Sequence, residues 1–323
     1  MTGIIFLAND CEKGEGPAIA KKFGVHGYPT YYAVNAAGEP VERWIGYDDA
    51  QAWADRVAAA RRDTRTLVEK KDAFGKQPTA DLAESMANDT ATAYDWAGSV
   101  PLFRQARDLA PARADVLTRA IVSSMAEADT TDFTFAEIRA EAEHVLSAAG
   151  TTAEDRVEMC STLMDAASAR DRDADGLPYL ERALGAATGL PDDSKVARTV
   201  KFLQVTHALL VEKNTARAVD IRRSLLPANW QEDAKRLNQF AWWCCSNGVN
   251  LDEADALVLK AVELAKSDPE RARYLGTAAE ISLKRGDATA AVERGRRALA
   301  LAPDNEQIKE QVAKFEAALA RTN

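Results

Sequence analysis

Cysteine and histidine are scarce in this chain, and their scarcity argues against the commonest metal and disulfide sites. Four cysteines and three histidines occur among 323 residues, and none has the spacing of a metal-ligand cluster or of a disulfide framework. Structural zinc sites and disulfide-stapled folds need such spacing. We therefore predict no metal, no cofactor and no catalytic residue from the side chains present.

Long apolar runs and an excess of basic charge are also missing. No stretch approaches the roughly 18 consecutive apolar residues of a membrane helix, and the run 4–8 lacks the length and the basic leader of a signal peptide. As written, the sequence predicts a cytoplasmic protein, or a periplasmic or secreted one if an upstream signal segment is missing. The net charge of −9 disfavours nucleic acid and favours solubility or a basic partner.

What the sequence contains instead is a repeated helical pattern, clearest in residues 272–305. This alanine-rich stretch breaks once, at Gly286, and closes near Pro303, which predicts one helical hairpin. With Pro303 set at the closing proline, the stretch resembles the ~34-residue tetratricopeptide repeat. The matching small, turn and leucine positions are Ala279, Gly286, Ala291, Ala298 and Leu299.

One position departs from that repeat. Gly295 stands where the repeat usually carries a large aromatic residue. We therefore expect the last hairpin to pack less tightly against its neighbour.

Weaker copies of the pattern extend towards the N-terminus. The next copy breaks at Gly248, and the most distant one has Phe103 and Ala106 at the aromatic and small positions of its second helix. About five or six hairpins are predicted in residues 63–305, and the upstream copies lie at 237–269, 196–227, 152–190 and 94–111. A one-faced capping helix is predicted in residues 306–323, with apolar Ile308, Val312, Phe315 and Leu319.

The resemblance implies an interaction protein. Tetratricopeptide arrays bind peptides or proteins in a groove lined by the first helix of each hairpin. The predicted function is thus a non-catalytic scaffold for a protein or peptide partner. The aromatic cluster of Trp230, Phe240, Trp242 and Trp243 is predicted to be core, as is the adjacent pair Cys244 and Cys245, whose redox interpretation is disfavoured by helix geometry.

The first 62 residues change period. A buried strand over 3–8, a short helix, two strands around Gly38 and a further helix are predicted, in the order β-α-β-β-α. Residues 25–30, Val-His-Gly-Tyr-Pro-Thr, followed by the strand hairpin and Gly46, resemble the C-terminal half of a thioredoxin-fold domain. The resemblance implies that Pro29 is a cis-proline, that the Tyr28 backbone binds an extended substrate, and that Thr30 starts a strand.

The same segment lacks the Cys-x-x-Cys of thioredoxin-family catalysts. That motif would lie before Met1, and Cys11 is an isolated cysteine that we interpret as a surface thiol. The alternative function is therefore a thiol-disulfide oxidoreductase or isomerase whose active half is missing upstream. The missing half also leaves two outcomes for the strands. Either they close up, or an unpaired edge is covered by the helices or by another chain, which makes self-association possible.

A remote alternative places calcium at residues 171–182, where acidic residues alternate and Gly176 fits the sixth loop position. Arg182 stands where a calcium loop needs glutamate, so a solvated loop is the preferred interpretation. The predicted fold class is therefore mainly α, with a partial thioredoxin-like domain over 1–62, a tetratricopeptide-like repeat region over 63–305 and a cap over 306–323.

Overall fold

The structure is a computed structural model, and it describes residues 5–46 and 50–322. The chain divides into two compact units, with the division between Thr188 and Gly189. The predicted boundaries at 62 and 305 stay predictions. The first elements are α1 (Gly16–Phe23), β1 (Thr30–Val34), β2 (Pro40–Ile45), α2 (Ala50–Arg62) and α3 (Leu67–Lys76).

Antiparallel helix pairs make up the rest of the chain, so the predicted mainly α fold class is confirmed. In the first unit the pairs are α4 (Ala80–Thr92) with α5 (Trp96–Leu109), α6 (Ala114–Glu127) with α7 (Phe135–Ser147), and α8 (Ala153–Ser168) with α9 (Asp173–Ala186). In the second unit they are α10 (Ala197–Leu210) with α11 (Thr215–Ser224), α12 (Ala234–Asn247) with α13 (Leu251–Leu264), and α14 (Asp268–Lys284) with α15 (Ala288–Leu301), followed by α16 (Glu306–Thr322).

The predicted hairpin around Gly38 is present near the N-terminus. β1 pairs antiparallel with β2, with Thr30 opposite Ile45 and Tyr31 opposite Trp44. Gly38 has φ +77°, a conformation that glycine adopts without a Cβ penalty, so it can close the turn. The expected helices on either side of the hairpin are α1 and α2.

The predicted strand over 3–8 is wrong within the described residues. Residues 5–10 carry no strand, and Ile5, Phe6 and Leu7 are 87%, 64% and 78% exposed. A short apolar run becomes a strand only where a neighbouring strand can pair with it, and β1 pairs only with β2 in the described part of the chain. The predicted strand segment and the β1–β2 hairpin therefore do not form one sheet within the described residues. Residues 3, 4 and 47 lie outside the described residues.

A buried lysine attaches the strand hairpin to the helices of the first unit. Lys70 of α3 is 1% exposed, and its Nζ donates to Val41 O at 3.0 Å and pairs with the Glu42 carboxylate. Ser85 Oγ of α4 donates to the same carboxylate at 2.9 Å. Because a buried ammonium is tolerated only when it is paired and hydrogen-bonded, these contacts fix β2 against α3 and α4.

In the second unit the first helices α12 and α14 pack against more than their own partners. α14 contacts its hairpin partner α15, the preceding second helix α13 and the neighbouring first helices α12 and α16. This is the packing expected of stacked helical hairpins. The predicted turns at Gly248 and Gly286 are present, with φ +65° and +85°. The predicted one-faced helix over 306–320 is α16, which buries Ile308, Val312 and Phe315.

Gly295 does not loosen the last hairpin, contrary to expectation. It is buried on α15, and a Cβ placed there would lie 2.9 Å from Phe315 Cδ2 and 3.2 Å from Val312 Cγ2 of α16. Phe315 itself is 0% exposed and packs with Ala279 and Ala291. The ring that a single hairpin would carry at position 295 is supplied by the next helix, so the packing is close.

We predict that Phe315→Ala destabilises the second unit by ~3–5 kcal/mol, because it leaves a cavity where three helices meet. Denaturant unfolding followed by circular dichroism measures the change. Glu310→Ala, at an exposed position of the same helix, is the matched control and is expected to stay within ~0.5 kcal/mol of the wild type. Equal losses in the two variants would contradict the packing role of Phe315.

Candidate binding face of the first helices

One side of α12 is exposed along its whole length. Lys235, Gln239, Trp242 and Ser246 recur at helical spacing and are all exposed. The opposite side of the helix is core, since Leu237, Ala241 and Cys244 are fully buried. The exposed side is therefore a strip of α12 that no other helix of the described residues covers.

α14 continues this surface beside α12. Arg273, Thr277, Glu280 and Lys284 follow the same spacing, and Lys284 Nζ donates to Ser246 O of α12 at 3.3 Å. Arg273 and Lys284 are exposed, whereas Thr277 and Glu280 are 7% and 8% exposed. The middle of the α14 strip thus lies lower than its two basic ends.

α16 borders the other side of α14. Lys314 Nζ donates to both carboxylate oxygens of Glu280, at 2.9 and 2.8 Å. A Cβ built on Gly276 would lie 3.2 Å from Gln311 Oε1, so the two helices approach closely where α14 has no side chain. The three helices form one surface, which we call the first-helix face: Lys235, Gln239, Trp242, Ser246, Arg273, Thr277, Glu280, Lys284 and Lys314.

The local charge of this face is opposite to that of the whole chain. It carries four basic side chains and one carboxylate, and that carboxylate, Glu280, is already paired with Lys314. The net charge of −9 therefore does not describe this surface. With Glu280 paired, the remaining charges of the face, on Lys235, Arg273 and Lys284, are all basic.

The predicted core role of the aromatic cluster is confirmed for Trp230 and Phe240, which are 6% and 1% exposed. It is wrong for Trp242, which is 48% exposed. Adjacent helical residues point about 100° apart, so Trp242 and the half-buried Trp243 cannot share one environment. The helical spacing of the apolar positions 237, 241 and 244 marks the buried side of α12. This spacing is the sequence signal that distinguishes the exposed Trp242 from the half-buried Trp243.

The residues predicted from the thioredoxin resemblance lie in the first unit. The Tyr28–Pro29 peptide bond is cis, Gly46 N donates to Pro29 O at 3.0 Å, and Thr30 Oγ1 donates to Gly27 O at 2.6 Å. Tyr28 is 65% exposed, and its side chain lies beside Cys11, which is one reason that its pKa is raised, after desolvation. The substrate-binding role of Tyr28, Pro29 and Thr30 stays a prediction.

A cavity of about 580 Å³ also lies in the first unit, between β2, α2, α4 and α6. Trp44, Phe103 and Leu117 supply its apolar lining. Several of its charged residues are already ion-paired: Lys70 pairs with Glu42, and Arg113 pairs with Asp81 and Glu84. A charged ligand would have to compete with these ion pairs, so the first-helix face is the better candidate for partner binding.

The calcium interpretation of 171–182 is wrong, and so is the solvated loop preferred to it, because most of this stretch is helix. α9 begins at Asp173, and Asp175 in its first turn pairs with Arg172. Alternating carboxylates on a helix do not converge as they do in a calcium loop. Within the described ranges, no group of three or more histidine, cysteine or acidic side chains is placed to hold a metal ion.

No protein-family model matches the chain, and no curated protein matches it. Among solved structures it is similar to YrrB, described as a TPR protein with an unusual peptide-binding site. The sequence identity is 16%, the TM-score is 0.35, and the alignment covers 76% of this chain and 97% of that one. Such a likeness carries no argument by itself, so the class rests on the helix pairs. They define a mainly α helical-repeat protein with tetratricopeptide-like hairpins.

None of the helices in the described parts of the chain has the length and apolar character needed to cross a bilayer.

The ionisation of the cysteine thiols follows from their burial. Cys160, Cys244 and Cys245 are buried, and all four cysteines are free, so the adjacent pair forms no disulfide. Burial raises the pKa of Cys160 to about 11 and that of Cys244 to about 12, and it raises the pKa of Cys245 as well. The predicted role of Cys244 and Cys245 as small core residues is confirmed.

Because the thiolate is the reactive form, we predict that only Cys11 reacts rapidly with a thiol reagent in the folded protein at about pH 8. In denaturant all four cysteines should react. Absorbance of the released thiolate counts the reacting groups. Cys11→Ser should abolish the rapid phase, whereas a rapid phase that persists in this variant would contradict the burial of the other three.

Proposed function

We propose that the protein is a non-catalytic interaction scaffold that binds an acidic peptide segment of a partner protein on the first-helix face. The observation that carries the proposal is Trp242, which is 48% exposed on a face that also bears Lys235, Arg273 and Lys284. An exposed tryptophan is a typical anchor of binding surfaces, since it offers a large apolar area at a low entropic cost. Lys235, Arg273 and Lys284 supply the charges that would orient an acidic ligand.

The spread of the exposed side chains over two helices supports an extended or helical segment in place of a small molecule. Thr277 and Glu280 are almost buried, whereas Trp242 of α12 and the basic residues of α14 are exposed. Side chains of a bound segment could then contact the apolar ring and the basic groups at once. Helical-repeat proteins bind extended partners on such surfaces.

The proposal includes the thioredoxin-like interpretation of residues 1–62 as a remnant without chemistry of its own. Its support is the element order, α1, β1, β2 and α2, around the Gly-Tyr-Pro-Thr stretch. Within this proposal Tyr28, Pro29 and Thr30 are a second place where polypeptide could bind. The thiol-disulfide oxidoreductase or isomerase alternative stays a prediction from the resemblance.

Two labelled peptides of equal length test the charge preference. One alternates leucine with glutamate and the other alternates leucine with lysine, and fluorescence anisotropy measures their affinity for the full chain. We expect the acidic peptide to bind, and the salt dependence of its affinity to reveal the basic groups. Equal affinity for both peptides would contradict the proposal.

Variants locate the binding. We predict that Trp242→Ala lowers the affinity for the acidic peptide by about tenfold or more, because an aromatic anchor is lost. The double change Arg273→Glu with Lys284→Glu should also reduce binding and should shift the preference towards the basic peptide. Lys260→Glu, an exposed charge reversal on the second helix α13, is the control and should leave the affinity unchanged. An equal loss in this control would place the interaction elsewhere.

A further inference from the structure

Two arginines of the second unit share one aromatic ring. Arg198 lies one turn before Phe202 on α10, and its Cζ is 5.2 Å from the centre of that ring. Arg222 of α11 approaches the same ring, with its Cζ at 5.0 Å, and also lies 5.8 Å from the ring of Trp243 on α12. Three helices thus bring two guanidinium groups to one place, which we call the arginine pair.

Neither member of the arginine pair has an acidic partner among the described residues. The Nε of Arg222 is buried and donates to no acceptor there. Six other arginines of the second unit do pair with carboxylates. Those ion-paired arginines are Arg217, Arg223, Arg271, Arg285, Arg294 and Arg296.

The electrostatic surroundings leave this charge uncompensated. The pKa of Arg222 is lowered, first by burial and then by the positive charge of Arg198. Its neighbour in sequence, Arg223, shows the alternative, because it pairs with Asp220 at 3.0 Å and with Glu253 at 2.9 Å. The protein therefore neutralises one arginine at this end of α11 and leaves the other to face a second cation.

The start of α10 adds to the positive potential. Arg198 lies in the first turn of the helix, which contains no acidic residue, and the capping residue Val196 provides no side-chain acceptor for the free N–H groups. Helix N-termini carry a partial positive charge, and most attract carboxylates. Arg198 thus lies in a first helical turn that contains no acidic side chain to offset its charge.

We propose that the arginine pair binds a phosphate-type dianion, either free phosphate or a phosphate monoester. Two fork-shaped donors match the oxygens of a dianion in number and in charge, whereas a single carboxylate would neutralise one guanidinium only. Phe202 and the half-buried Trp243 hold the two guanidinium groups in place by cation–π contacts, so the site is built before the ligand arrives. The proposal is independent of peptide binding on the first-helix face.

Isothermal titration calorimetry of the full chain with inorganic phosphate tests the proposal, with chloride and acetate at matched ionic strength as comparison anions. We expect phosphate to bind and acetate to bind at least about tenfold more weakly, because a monoanion satisfies one guanidinium. Affinity for a phosphate monoester should fall as the pH drops through ~6, where the dianion becomes protonated. Acetate binding as tightly as phosphate would overturn the proposal.

Three variants assign the site. Arg198→Gln removes an exposed guanidinium, and Arg222→Lys keeps the charge but removes the fork. Each variant should lower the affinity for phosphate by about tenfold. Arg217→Gln on the same helix as Arg222 removes an arginine already paired with Glu212 at 2.7 Å, so it is the matched control and should bind phosphate normally. Circular dichroism verifies that each variant is folded. If the control loses as much phosphate affinity as Arg198→Gln does, the assignment fails.

Two further titrations distinguish the sources of the phosphate. A phosphoserine peptide and its unphosphorylated form test a protein-borne phosphate, and glycerol 3-phosphate tests a small ester. Binding of either phosphorylated ligand, lost in Arg198→Gln, supports the proposal and names the source. Equal binding of the phosphorylated and unphosphorylated peptides, with no binding of glycerol 3-phosphate, would overturn it.

Discussion

The enclosure of the first helices α12 and α14 by their neighbours is the constraint on which the second unit depends. α14 shows it most clearly, because every residue from 274 to 282 is buried between α12, α13, α15 and α16. Arg294 of α15 strengthens the enclosure, since it donates to Ala278 O at 3.1 Å and to Ser282 Oγ at 2.8 Å and also pairs with Asp255 of α13. With its helices fixed in this way, the unit can present side chains to a partner from a rigid surface.

Both surfaces that we propose for ligands carry basic charge that acidic side chains of the described residues do not balance. Several basic side chains of the second unit meet a carboxylate, and such pairs add little at the surface. On the first-helix face, Lys235, Arg273 and Lys284 share the surface with the exposed Trp242. At the arginine pair, the Cζ atoms of Arg198 and Arg222 lie 5.2 and 5.0 Å from the centre of the Phe202 ring. A negative ligand would relieve repulsion in both places, which links binding to the stability of the unit.

The sequence predicts the helix pairs well because the turn within each pair is set by local residues, such as Gly248 and Gly286. It fails for residues 5–10, because a strand depends on a partner that lies elsewhere in the chain. For Trp242 the signal was present in the helical spacing but was outweighed by the general tendency of tryptophan to be buried. The arginine pair was not predictable, because Arg198 and Arg222 come from different helices and their missing counterions are a property of the folded structure.

The contact between Gly295 and Phe315 has a consequence for how such sequences diverge. One volume is shared by two positions that lie on different helices, so a larger residue at 295 is tolerated only if 315 becomes smaller. Related chains should therefore exchange the two residues together, with the bulky side chain changing helix while the total volume is conserved. A pairwise exchange of this kind would preserve the contact between α15 and α16 even where neither residue is individually retained.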